Sequence, residues 1–115
     1  MKPVRIVLSR KAGFDLQAVS RAINGLPAQS VVRPGPWGNP FTIAAVMAET
    51  GVNKAAAQVE AVARHGRWMR GEIEADRPRP SRDEIRKALA GKNLACWCRE
   101  GTPCHVDTLL ALAND

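Results

Sequence analysis

Asn93-Leu94-Ala95-Cys96-Trp97-Cys98-Arg99-Glu100-Gly101-Thr102-Pro103-Cys104-His105-Val106-Asp107 carries the densest chemistry in the chain. An apolar run ends in thiol-bearing residues, a Gly-Thr-Pro turn follows, and an apolar helical pattern begins. Strand, loop, helix is the unit from which α/β folds are built. Such folds gather ligands at strand ends and helix starts. All three cysteines and one of the two histidines fall inside this stretch, so it is the first place to look for a site.

Alternate side chains of a strand share a face, so Cys96 and Cys98 should point one way and Trp97 the other. Thr102 reads as a helix N-cap with Pro103 at the first helical position, where its missing N–H costs nothing. Cys104 and His105 then fall in the first helical turn. There the helix dipole favours a thiolate and unpaired amides receive an anion. Leu109, Leu110, Leu112 and Ala113 give the closing helix its apolar side.

Three chemistries fit this residue set. In the first, Cys104 or His105 performs covalent or acid–base work on an anionic small molecule, with no cofactor. In the second, Cys96, Cys98, Cys104 and His105 hold zinc. Their identities suit that ion, but the Cys-x-Cys-x5-Cys-His spacing lacks the usual pairs separated by two to four residues, and adjacent Cys104 and His105 have difficulty reaching one ion. In the third, small thiols pack a buried strand and His105 bonds locally.

A second loop is expected to face this segment. Ser30-Val31-Val32-Arg33 reads as a strand running into Pro34-Gly35-Pro36-Trp37-Gly38-Asn39-Pro40-Phe41. Three prolines in eight residues make that loop stiff and poor in backbone donors. Recognition would fall to Arg33, the Trp37 indole and the Asn39 amide, which suit a planar or phosphorylated ligand. The alternative is that Trp37 and Phe41 simply plug the core.

Elsewhere the pattern is helical scaffold. Residues 5–9 form a first β-branched strand. Asp15 caps a helix with Leu16, Val19 and Ile23 on one face, ended by Asn24-Gly25. Residues 42–49 form a short helix with Ile43, Val46 and Met47 inward. Asn53 caps a longer one whose stripe is Ala55, Val59, Val62, Met69 and Ile73 beside Trp68, ending near Gly71. His65 on that helix reads as a surface or boundary residue. Ser81-Arg82-Asp83-Glu84 is a capping box for a helix with Ile85, Ala88 and Leu89 inside.

Composition bounds the rest. A chain of 115 residues with 45 % apolar and 24 % charged residues is expected to be one globular domain spanning 1–115. No apolar run approaches a membrane span and no signal peptide is evident, so a cytoplasmic protein with no membrane partner is expected. Three clustered cysteines suit a reducing compartment. The net charge of +6 is concentrated early: residues 1–41 hold six bases against Asp15 alone. That basic third suggests an anionic partner, a nucleotide or nucleic acid, or else a solvated surface. Oligomeric state leaves no trace in the sequence.

Residues 31–41 with their Trp-Gly-Asn-Pro-Phe, and residues 89–98 with the following Pro103-Cys104-His105-Val106-Asp107, resemble the domain-of-unknown-function family 4326. The opening segment, residues 5–13, also looks like that family's, and residues 15–29 exceed its usual spacer. The resemblance covers nearly the whole chain. It implies a compact α/β domain of phage and bacterial occurrence, with a site shared by Arg33, Trp37, Asn39, Cys96, Cys98, Cys104, His105 and Asp107. The phage setting makes nucleotide or nucleic-acid metabolism the natural expectation.

The expected architecture is a short, mainly parallel sheet of three or more strands flanked by four to five helices, Rossmann-like in part. The leading functional expectation is a nucleotide-related or other anionic small-molecule site, an enzyme or only a binder. Cys104, His105 and Asp107 would be reactive, while Arg33, Trp37, Asn39, Cys96, Trp97, Cys98 and Thr102 would bind ligand. The alternatives are a zinc-stabilised nucleic-acid-binding module using the basic N-terminal third, and a structural or interaction protein.

Overall fold

In a computed structural model describing residues 2–33 and 35–114, β3 (Asn93–Cys96) lies between two shorter strands. It pairs in parallel with β1 (Arg5–Val7) on one side and with β2 (Ala28–Ser30) on the other, giving the order β1-β3-β2. The register sets Ile6 and Ser30 opposite Ala95. Paired on both sides and covered on both faces, β3 is buried at all four residues, and its apolar, non-alternating sequence is that of a parallel central strand.

Five helices accompany the sheet among the described residues: α1 (Leu16–Asn24), α2 (Ile43–Thr50), α3 (Lys54–Met69), α4 (Arg82–Leu89) and α5 (His105–Asn114). Asp15, Thr42, Asn53 and Ser81 cap the first four through their side chains, and Ser81 with Glu84 forms the full capping box. Leu16 and Val19 of α1 pack on Ile6, Ala28 and Ala95. On the opposite face Leu94 and Cys96 meet Trp68 and Met69 of α3, Ile85 and Leu89 of α4, and Val106 and Leu109 of α5. The result is a three-layer α/β arrangement, as expected, with the thiol-bearing end of β3 on the larger core.

Several local readings shift. The second strand is residues 28–30, not 30–33, because its register against Asn93–Cys96 begins at Ala28; Val31 still donates to Ala95 O at 3.0 Å. Ile23 and Met47, expected inside, are exposed. The inward face of α3 is Ala57, Ala61, His65, Trp68 and Met69, whereas Val59 is 55 % exposed. Ala57 and Ala61 let α3 approach its neighbours closely and pack inward beside Trp68 and Met69, while the larger Val59 stays outside. The proline-rich loop is described except for Pro34, which lies outside the described residues.

At the far end of the sheet from the cysteines, Asn93 is fully buried and fully bonded. Its amide donates to Ser20 Oγ and Asn24 Oδ1, both at 2.8 Å, while its oxygen accepts from Val4 N at 2.9 Å. This network locks α1 to the sheet.

His65 reverses the surface expectation: it is wholly buried, edge-on to Trp68 and to His105, with ring centroids 6.0 and 5.3 Å away. Neither ring nitrogen has a partner among the described residues. Burial, then the charges of His105 and Arg77, push its pKa from 6.5 down to about 3. The unfolded chain therefore binds a proton that the folded chain refuses between those values. Stability should fall as pH drops from 6.5 towards 3, by on the order of several kcal/mol. Urea denaturation across that range should show a much flatter acid limb for His65→Leu; an unchanged limb would assign the acid sensitivity to other groups.

Candidate functional site

Because all three strands are parallel, their C-terminal ends share one edge of the sheet. β3 delivers Cys96, Trp97 and Cys98 there, and β2 leads through Val31 and Val32 to Arg33. The segment after β1 brings Arg10, whose guanidinium carbon sits 4.5 Å from the Trp97 ring centroid. Strand alternation persists beyond the last ladder pair. Cys96 and Cys98 join the larger core, while Trp97 is 46 % exposed on the other side.

A tight loop then returns the chain to α5. Arg5 holds it: its guanidinium donates to Thr102 O at 2.8 Å and Arg99 O at 2.6 Å, and pairs with Asp107 at 3.4 Å. The Thr102 hydroxyl donates to Arg99 O at 2.6 Å, closing the turn rather than capping the helix. α5 begins only at His105, so Cys104 precedes the first turn, two residues later in role than the expected cap at Thr102. The Arg5 clamp ties residues 99–102 to the first strand, which a sequence pattern cannot register.

This return places three sulfurs together. Cys96, Cys98 and Cys104 Sγ all lie within 4.8 Å of one another, and Cys96 and Cys104 approach to 2.9 Å, well beyond the ~2.05 Å of a disulfide. All three are free thiols. Their protons compete. Hydrogen bonds from Cys104 and then Cys96 hold the Cys98 thiol far below its usual range, against the opposing effect of burial. The same bonds, Cys96 first and then Cys98, push Cys104 far up, with burial adding to them. For Cys96 the bond from Cys104 acts downward, but Cys98 and burial outweigh it and raise the pKa to about 11. The trio thus yields one thiolate readily and resists a second and third unless a cation replaces the protons. The cluster could hold a metal ion such as zinc.

His105 adjoins the cluster. Its Nε2 is 2.8 Å from Val31 O, and a carbonyl only accepts, so Nε2 carries the proton and Nδ1 keeps its lone pair. Nδ1 is 3.7 Å from Cys104 Sγ. A backbone carbonyl fixing one ring nitrogen while the other faces thiols is the usual support of a ligating histidine. Burial lowers its pKa and keeps the ring neutral, more than the Val31 bond raises it.

A cleft of about 190 Å³ opens over this cluster, lined by Cys96, Cys98 and His105 together with Arg33, Asn39 and Trp97. The two stretches singled out in the sequence therefore form its walls. Cys104 lies behind them, fully buried. Asn39 lines the cleft, but its amide donates to Ala61 O at 3.0 Å and its oxygen accepts from Phe41 N at 2.9 Å, so it holds the loop to α3. Trp37 packs half-buried against the core instead of facing the cleft. Asp107 is exposed on the far side of the loop with Arg5, and Thr102 is not a cleft residue either.

Two residues passed over in the sequence shape the arginine wall. Arg77 reaches from the 70–80 connector to donate to Gly38 O, with its guanidinium carbon 5.4 Å from the Trp68 ring centroid. Gly38 is needed because a Cβ there would sit 2.7 Å from Arg33 Cγ and 2.8 Å from Arg33 N. Removing the Arg5 clamp should cost about 1–3 kcal/mol. Arg5→Met should show that loss in chemical denaturation, while Lys11→Ala on the exposed neighbouring segment should stay near zero. Equal effects would mean that the clamp is not what orders the thiol loop.

No curated protein and no solved structure matches this chain. A protein-family model does, and its match begins inside α1, so the expected likeness of the first strand to the family is not part of it. With residues 18–115 matched, including both walls of the cleft and every thiol, the chain belongs to the family described as Domain of unknown function (DUF4326).

Proposed function

We propose that this protein is a small-molecule-binding domain built on a three-thiolate metal centre. Zinc would be held by Cys96, Cys98 and Cys104, and an anionic ligand would enter the adjoining cleft beside Arg33. The observation that carries the reading is the convergence of three sulfurs within 4.8 Å from both sides of the five-residue loop 99–103. Buried thiols that merely pack a core have no reason to meet, whereas thiolate ligands of one ion must.

In this reading Arg5 shapes the ligand loop and His105, oriented by Val31, stands as the fourth donor or as a neutral base at the cleft floor. Bound zinc would keep the three thiols ionised, and since their charges outweigh the ion's own, the pull on an anion would come from Arg33. Arg33 pairs the incoming acid. Asp107 and Thr102 support the loop instead of reacting. The nucleic-acid-binding reading retains one observation, the exposed Trp97 beneath Arg10, and would appear as binding that weakens steeply with salt.

Protein purified without chelator should carry about one zinc per chain. Removing it should lower the melting temperature, by on the order of ten degrees for a binding energy of a few kcal/mol in a domain of this size. Cys98→Ser should reduce zinc content, and Cys104→Ala should abolish it. Metal-free protein with an unshifted melting curve after zinc addition would refute the centre.

A further inference from the structure

The size and charge of the cleft narrow its ligand, on the footing of the binding site just proposed. A cavity of roughly 150 Å³ lined by aliphatic and aromatic side chains holds one benzene ring. At about 190 Å³ the present cleft, which is open on one side, closely surrounds about a single ring with one small substituent. Its walls include Val32, Phe41, Ile43 and Val62, with Trp97 at the rim.

Charge is equally restrictive. Arg33 is the only charged residue lining the cleft among the described residues, and it makes no ion pair among them. Its one recorded bond is a long 3.4 Å contact with Asn39 O, so the guanidinium retains donors for a ligand. A planar fork of this kind pairs a carboxylate through two parallel bonds.

We infer that the cleft binds a planar, single-ring monoanion, an aromatic or heteroaromatic carboxylate. Its acid group pairs with Arg33, and its ring lies among Val32, Phe41, Ile43 and Val62, above Cys98 and His105. This assigns a smaller ligand than the nucleotide suggested by the basic N-terminal third. Arg10 and Lys11 then contribute to the field at the mouth, outside the lining.

The test uses the zinc-loaded protein with benzoate, nicotinate, acetate and uridine monophosphate, read by titration calorimetry and tryptophan fluorescence. Benzoate and nicotinate should bind saturably, with acetate and uridine monophosphate at least tenfold weaker. Arg33→Gln should weaken benzoate about tenfold or more while leaving the melting curve and zinc content in place, since its side chain lies at the surface. Uridine monophosphate binding as tightly as benzoate, or benzoate binding unaffected by Arg33→Gln, would overturn the assignment. Zinc present with no ring acid bound would overturn it and leave the metal centre standing. Arg33-dependent benzoate binding to a protein that takes no zinc would sink the metal centre alone.

Discussion

Parallel pairing of β3 on both of its edges is the constraint from which the rest follows. Leu8 N donates to Cys96 O on one side and Val31 N to Ala95 O on the other, so the strand cannot slip by a residue without losing both ladders. A one-residue slip would also exchange Leu94 and Cys96 with Ala95 between the two cores. Fixed in this way, the strand ends at one defined point, with Cys96 and Cys98 on the larger core and Trp97 on the other side. The segments after β1 and β2 arrive at that same edge and supply Arg10 and Arg33. The site is thus a consequence of strand direction as much as of side-chain chemistry.

What the edge receives is then tightened by buried polar contacts. Arg5 ties the thiol loop to the first strand, Val31 sets the orientation of His105, and Arg77 and Asn39 pin the opposite loop. None of these side chains needs to touch a ligand. Each places one that can. The thiols left at the centre share protons unequally, Cys98 drawn down and Cys104 pushed up, and a cation among them would take the place of those protons.

Much of this was legible in the residues. The capping side chains Asp15, Thr42, Asn53 and Ser81 announce their helices because a cap is a local event. The apolar, uninterrupted Leu94-Ala95-Cys96 announces a buried strand, and clustering of the cysteines with Arg33-to-Phe41 chemistry locates the cleft. The errors lie where long-range contacts decide. His65 looked peripheral because part of what covers it, the His105 ring, comes from forty residues away. Thr102 looked like a cap until the turn claimed its hydroxyl, and Asp107 lies outside the cleft lining, paired with Arg5. The spacing argument against a metal also weakens in three dimensions, since a loop folded back by Arg5 brings Cys104 to Cys96 regardless of intervening residues.

The central claim is that the three sulfurs ligate one ion. X-ray absorption at the zinc edge on the purified protein tests it most directly. The account predicts a shell of three sulfurs at about 2.3 Å, completed by one nitrogen or oxygen near 2.0–2.1 Å. A shell of oxygen and nitrogen alone, or a protein that takes up no zinc while its thiols remain reduced, would contradict it.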